Sequence, residues 1–304
     1  MVHLCSECGT SHPKWTGRCS GCGDWNTLVE DVETAGRDDA PIAPSLRPGP
    51  TRIGDIGTEH GDPVTTAIGE LDRVLGGGLV AGSVTLLGGE PGIGKSTLLL
   101  QLLAAWSGPT LYVTAEESAQ QVKRRAERLG ATRDDLWLHA ETSLPHILEA
   151  IDRTRPEVVV IDSIQTVSDP SLESLPGSVG QVRGCAQRFV NEAKEHGVSI
   201  VLVGHVTKEG GLAGPRVLEH VVDTVLQFEG DRHHALRLLR ASKHRFGPTN
   251  ELGLFEMATA GLIAVPDASS LFLADRRTGV PGSAVVPTME GQRPIVVEVQ
   301  ALTN

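Results

Sequence analysis

The sequence predicts an α/β fold, a mostly parallel sheet covered by helices, with a small metal-stapled module ahead of it. Three observations carry that expectation. A phosphate-loop pattern stands between an apolar β-branched run and a run of helix formers. From about 51 to 265, strand-like and helix-like stretches alternate, the signature of a parallel sheet with covering helices. Two Cys-x-x-Cys pairs lie within residues 1–30.

The phosphate loop is Gly89-Glu90-Pro91-Gly92-Ile93-Gly94-Lys95-Ser96-Thr97, which fits G-x-x-x-x-G-K-[S/T] without mismatch. A strand is expected over 83–88 and a helix over 97–106. Gly92 and Gly94 lack a Cβ, so the backbone can curl round a phosphate with its amides pointing inward. Lys95 supplies a charge for the β- and γ-phosphates, and the Ser96 hydroxyl can ligate Mg²⁺. ATP with Mg²⁺ is the expected ligand.

The chain has 304 residues, enough for about two domains on the length prior. No stretch is long and apolar enough to span a bilayer, and the first residues carry no apolar signal core. A cytoplasmic location with reduced thiols is expected, and no membrane partner. The net charge of −11 argues against non-specific nucleic-acid binding through the whole surface. A local basic run survives at 235–245, with four permanent positive charges and no acid.

Within residues 1–30 lie four of the five cysteines, Cys5 and Cys8, then Cys19 and Cys22. Four thiolates make a closed tetrahedral Zn²⁺ site with no open position for chemistry. Trp15 and Trp25 are expected to form the small core of this module, and His3 and His12 to lie at the surface. Residues 31–50 are first acidic, then proline-rich, and read as a linker.

In the alternating region, 110–115 is a strand ending at Glu116. Ser118 and Gln121 make a capping box, so 119–129 is a helix. Glu116, at the strand tip, can orient an attacking water; Glu117 is the alternative, or simply an acid that suits a helix N-terminus. A strand over 136–140 and a helix over 144–154 follow. The β-branched run before Asp162 is a buried strand whose terminal carboxylate would hold Mg²⁺, directly or through water. Residues 164–180 read as an exposed loop and 182–196 as a helix, with Cys185 a packing residue. The strand over 199–204 ends at His205, which either contacts the γ-phosphate or is structural. Lys208 and Arg216 end a second glycine-rich loop. Stretches 224–229, 235–241 and 252–257 read as antiparallel strands.

Taken together, these residues resemble the bacterial RadA/Sms family of recombination ATPases along nearly the whole chain. The resemblance rests on the four cysteines with Trp15 and Trp25, on Arg73-Val-Leu-Gly-Gly-Gly-Leu79, and on the phosphate loop. It extends through Tyr112 to Ser118, the segment around Asp162, and Gly204 to Gly210. Its last element is Lys243-His244-Arg245-Phe246-Gly247, where His244 stands in place of the family's asparagine.

The resemblance implies a RecA-like P-loop ATPase core at 51–265, assembled as a hexameric ring, behind a four-cysteine zinc ribbon at 1–30. Lys243 and Arg245 would then reach the nucleotide of the neighbouring subunit. Single-stranded and branched DNA would be the partners, with Lys208 and Arg216 among the contacts, alongside a recombinase or replication protein. The implied activity is branch migration in recombinational DNA repair. Residues 266–304 resemble only the opening of the family's Lon-protease-like domain, so the strand over 294–300 is expected to lack its partners. The rival reading is an ATP-gated interaction module whose zinc ribbon recruits a protein, without movement along DNA. A Lon-type Ser/Lys pair would lie beyond residue 304, which disfavours a protease.

Overall fold

A computed structural model describes residues 2–5, 10–31, 52–55, 57, 61–206, 212–213, 217–230, 235–267, 269, 273 and 281–301. The chain divides into two compact units, Met1–Asp62 and Pro63–Asn304.

In the first unit, β1 (Val2–Cys5) pairs antiparallel with both β2 (Ser11–His12) and β3 (Leu28–Asp31). So short a module has little apolar area to bury. Its described core is Cys5, Cys19 and Leu28, with Cys22 packed against them. The expectation for the tryptophans fails: Trp15 and Trp25 are 57% and 69% exposed. The sulfurs take the centre, and Trp25 instead lies under the Arg18 guanidinium at 5.9 Å. His12 also departs from expectation. It is buried, with Nε2 3.4 Å from Cys19 Sγ.

The second unit opens with β4 (Pro63–Val64), α1 (Gly69–Val74), β5 (Leu79–Val80), β6 (Val84–Gly89) and α2 (Lys95–Ala105). Next come β7 (Thr110–Thr114), α3 (Ala119–Arg128), β8 (Leu136–Ala140), α4 (Leu144–Thr154), β9 (Val158–Asp162) and α5 (Val179–His196). Then follow β10 (Ser199–Val206), β11 (Leu212–Ala213), α6 (Val217–Val221), β12 (Thr224–Glu229), β13 (Leu236–His244), β14 (Leu252–Ala258) and β15 (Gly261–Ala264). The hairpin β16 (Ser283–Glu290) and β17 (Arg293–Gln300) ends the described chain.

Among the described residues the main sheet runs β15-β14-β13-β12-β6-β10-β9-β7-β8, with β11 attached to β10. The six strands from β12 to β8 are mutually parallel, and β13 to β15 add an antiparallel flank. Strand periodicity divides the core. Val158 and Val160 join the cluster that holds the leucines of α2, whereas Val159 and Ile161 face the cluster that holds Ile147, Ile151 and Phe189. Helix α2 buries Leu98, Leu99, Leu100, Leu102 and Leu103, so it is apolar nearly all round, as a helix sunk in a core must be.

Local signals explain most boundaries. Helix α3 starts where expected because the capping box forms: Gln121 N–H donates to Ser118 Oγ at 3.4 Å and Ser118 N–H to Gln121 Oε1 at 2.9 Å. Helix α5 begins three residues earlier than the sequence suggests. Ser178 accepts from Gln181 N–H at 3.4 Å, and Gly180 sits inside the first turn rather than in a loop. The turn before β5 requires glycine at 78, where φ is +140° and a Cβ would lie 1.9 Å from Val64 O.

Three further expectations change. Residues 164–180 are not a simple exposed loop: Ile164, Val167 and Asp169 are buried, although Leu175 is exposed. The buried Gln181 amide holds the segment, donating from Nε2 to the carbonyls of Asp169 (3.1 Å), Leu172 (3.2 Å) and Ser174 (2.7 Å). Strand β12 is parallel to β6 and antiparallel only to β13. The strand over 294–300 finds its partner in β16. It also packs on the main sheet, where Ile295 joins Leu252 and Leu254.

Candidate functional site

The parallel strands β6, β7 and β9 all end at one edge of the sheet, where a fold of this kind places its ligand. A cavity of about 350 Å³ opens there. Its lining brings together Pro91, Gly92, Gly94, Lys95, Ser96 and Thr97 from the loop with Glu116 and Asp162 from the strand tips. Gly92 and Gly94 have φ of +81° and +117°, the left-handed backbone that curls the loop. The amides at the head of α2 therefore border the cavity, an arrangement suited to phosphate.

Not every loop residue faces inward. Ile93 is 1% exposed and anchors the loop in the core, while its carbonyl accepts from Arg237 Nε at 3.1 Å. Gly89 and Glu90 act through their carbonyls, which accept from Lys95 Nζ at 2.7 and 3.0 Å. Burial lowers the Lys95 pKa, opposed by the charges of Asp162, Glu116 and Glu90.

Across the cavity, Ser96 Oγ donates to Asp162 Oδ2 at 2.6 Å, and Tyr112 OH donates to the same oxygen at 2.5 Å. Burial, then the Asp162 charge, pushes the Tyr112 pKa well up, which keeps the phenol protonated as a donor. A hydroxyl and a carboxylate oxygen this close, at the mouth of a phosphate loop, form a hard oxygen pair of the kind Mg²⁺ takes. Ser163 Oγ donates to Glu116 Oε1 and orients that carboxylate at the cavity wall. Glu117 is engaged differently: Arg125 donates to both its oxygens at 2.7 Å.

The remaining predicted positions separate. In the first unit, one ligand atom from each of Cys5, Cys19 and Cys22 lies within 4.8 Å of the others, and the Cys5 and Cys22 sulfurs are 3.6 Å apart. Thiolates held tetrahedrally at a zinc–sulfur distance of about 2.3 Å would stand about 3.8 Å apart, so the trio fits the metal. Gly21 N–H donates to Cys19 Sγ at 3.3 Å, as a ligating turn requires. Cys8, Lys208 and Arg216 lie outside the described residues. The backbone of His205 is in register with Gly89 across β10 and β6; its side chain is outside the described set.

Lys243 and Arg245 do not reach the cavity of their own chain. Strand β12 pairs Phe228 with Gly89 and Thr224 with Thr85, and β13 pairs His244 with Thr224. The two cations thus sit about 13 Å along the sheet from the phosphate-loop end, four residues at strand rise. Lys243 Nζ donates to Glu219 O and Val222 O at 2.5 and 2.7 Å, and Arg245 Nη1 lies 3.2 Å from Asp223 Oδ1. Arg245 is half exposed. Between them His244 bridges two elements, with Nδ1 3.0 Å from Thr224 Oγ1 and Nε2 3.1 Å from Leu75 O.

Sequence reasoning missed Tyr112, Ser163, Arg125 and Arg237. A signal existed for Tyr112, the single tyrosine of the chain, which lies on the same strand face as Thr114 just before Glu116. None existed for Arg125, whose partner lies beyond the helix cap and outside i,i+4 spacing.

Fold and site together define a P-loop ATPase of RecA-like α/β architecture, carried behind a small cysteine-rich zinc module. Residues 58–211 match the AAA domain family and residues 3–30 the rubredoxin metal binding domain. The chain is 50% identical to the DNA repair protein RadA of Bacillus subtilis (strain 168) and to that of Listeria monocytogenes. It is equally similar to the DNA repair protein RadA of Halalkalibacterium halodurans; each match covers 99% of this chain and 67% of the relative. The chain belongs to the RadA family of DNA repair proteins. Among the described residues, no helix is long and apolar enough to cross a membrane.

Proposed function

We propose that this chain is a DNA-dependent ATPase that works as a ring, moving on single-stranded DNA and promoting branch migration during recombinational repair. Lys95 and the loop amides bind the triphosphate, Ser96 and Asp162 hold Mg²⁺, and Glu116 orients the water that attacks the γ-phosphate. Ser96 and Asp162 would hold Mg²⁺, which would neutralise charge developing on the transferred phosphoryl group when bound. Lys243 and Arg245 act on the nucleotide of the adjoining subunit.

One observation carries the ring: the two cations stand at the end of the sheet remote from their own phosphate loop. Cations that stabilise phosphoryl transfer must touch the phosphates, so if Lys243 and Arg245 have that role, the nucleotide they serve belongs to another copy, and Lys243 would leave the carbonyls of Glu219 and Val222 to reach it. Such a contact is heterologous, joining unlike surfaces, and closes into a ring when its rotation permits. DNA enters through the family. The segments at 164–180 and 206–216 are the proposed contacts; Lys208 and Arg216 of the second would grip the backbone with strong salt dependence and little sequence preference, and the first, which carries no cation, would add polar contacts. The four-thiolate site, Cys8 included, is proposed to hold Zn²⁺ as a structural ion.

ATP turnover with and without single-stranded DNA, across a salt series, tests this reading. Stimulation that fades as salt rises is expected. Turnover indifferent to DNA at every salt concentration would favour the gated interaction module instead.

A further inference from the structure

Glu116 and Glu117 follow one another at the tip of β7, and both border the cavity with Arg125. The chain turns back there. Thr114 Oγ1 donates to Glu117 O at 2.8 Å and accepts from Glu117 N–H at 3.1 Å. That turn brings the second carboxylate to the wall where the phosphates are to lie, already shared with Glu116 and Asp162. Three carboxylates around a triphosphate repel it and each other, unless one is neutralised.

The neutralising group is in place. Arg125 reaches back from the second turn of α3 and holds both Glu117 oxygens at 2.7 Å. Its side chain is 22% exposed, against 37% for Glu117, so the pair lies at the cavity wall rather than in open solvent. The two-point geometry fixes direction as well as charge. The hydrogen bonds Arg125 donates to Glu117 raise the guanidinium pKa, outweighing burial, which opposes its charge.

We propose that Arg125 is a positioning residue for hydrolysis: it clamps Glu117 away from the phosphates, so that Glu116, steadied by Ser163, is the carboxylate that addresses the water. The inference rests on the reading of Glu116 given above and goes further, because it assigns opposite duties to two adjacent, chemically identical residues. Arg125 touches neither water nor nucleotide in this role. It acts only through Glu117.

The test is a rescue measured on the full chain with ATP as the substrate. Arg125→Ala is expected to lower kcat about tenfold or more while KM for ATP moves less than about threefold, since a positioning defect acts on the transition state. Adding Glu117→Gln removes the freed charge, and at least about half of the lost turnover should return, a coupling expected only of residues in one network. A merely structural pair would lose and regain stability along with turnover, so the melting temperature of both variants is expected to stay near the parent's while turnover falls and returns. A double variant as slow as Arg125→Ala overturns the proposal, and so does an Arg125→Ala enzyme with raised KM and unchanged kcat, which would put the guanidinium on the phosphates. Where Arg125→Ala does not fold, Arg125→Gln with and without Glu117→Gln gives the same comparison. Glu116→Gln separates the two layers. If it leaves turnover intact, the underlying reading of Glu116 falls; if it abolishes turnover while the double variant stays slow, the clamp alone falls.

Discussion

Ser96 Oγ donates a 2.6 Å hydrogen bond to Asp162 Oδ2, joining two positions 66 residues apart in the chain. The first ends the phosphate loop and the second ends β9. Neither motif is conclusive alone, but both line one cavity, and their contact supports the proposed Mg²⁺ site. Asp162→Asn keeps the shape and both hydrogen bonds while removing the charge. Turnover should fall at least about a hundredfold, as for loss of a principal electrostatic group, with the melting temperature little changed. Measured Mg²⁺ dependence should shift to higher concentration. Unchanged Mg²⁺ dependence would remove Asp162 from the metal site.

Lys243 and Lys95 should separate on binding. Lys95 is part of the phosphate loop, so Lys95→Ala is expected to weaken ATP binding strongly and abolish turnover. Lys243→Ala should abolish turnover and leave nucleotide affinity within about threefold, the mark of a group that acts mainly in the transition state. Titration with a fluorescent ATP analogue distinguishes them. Equal loss of affinity in both variants would place Lys243 in the binding site of its own chain.

Arg293 makes its own structural prediction. Its guanidinium is buried against the Glu70 carboxylate and donates to the carbonyls of Leu252 (3.0 Å), Val265 (2.8 Å) and Pro266 (2.8 Å). It locks the terminal hairpin to α1 and the edge of the sheet. Arg293→Ala would strand a buried carboxylate and should destabilise the unit by about 3–5 kcal/mol. Replacing both partners, Arg293→Leu with Glu70→Leu, should cost clearly less, because no charge is left unpaired. Denaturant unfolding of the three proteins reads the order directly.

Glu141 fastens the turn that leads into α4. Its Oε1 accepts from the N–H groups of Thr142 (2.7 Å) and Ser143 (2.9 Å), and Oε2 lies 2.9 Å from His146 Nδ1. Those backbone donors, with His146 behind them, depress its pKa to about 2 from the ordinary 4.5. A depressed carboxylate stabilises the fold above its unfolded pKa and loses that contribution as pH falls through its folded pKa. Glu141→Gln should therefore cost about 1 kcal/mol near neutral pH, the scale of a hydrogen bond to a charged group at a partly exposed site. The gap between variant and parent should close between pH 4.5 and about 2. A gap that stays constant over that interval would show that the charge contributes nothing.

Much of this architecture is legible locally. The phosphate loop, the buried run before Asp162 and the Ser118–Gln121 box each encode their structure within a few residues, and each forms where read. Most of what failed depends on context that a local motif does not carry. The apolar run at 224–229 announces a strand but not its neighbour, so its parallel pairing with β6 is not readable. Gly180 reads as a loop residue because the cap that tolerates it, Ser178, stands among glycine and proline that signal a turn. Trp15 and Trp25 belong inside on hydrophobicity, yet a module organised by thiolate ligands puts its sulfurs at the centre. Within the site, Lys95, Ser96, Glu116 and Asp162 are readable from motifs. Arg125 is not, since no periodicity links a helical arginine to a carboxylate beyond the cap.

The central claim is that one chain binds the triphosphate and its neighbour completes the hydrolytic pocket. Mixing Lys95→Ala with Lys243→Ala, each inactive alone, tests it most directly through ATP turnover. A mixed assembly contains sites with an intact phosphate loop facing an intact Lys243, and at equal proportions turnover should recover to on the order of a quarter of the parent value, as random heterologous contacts require. No recovery at any mixing ratio, in assemblies shown to exchange subunits, would contradict the claim.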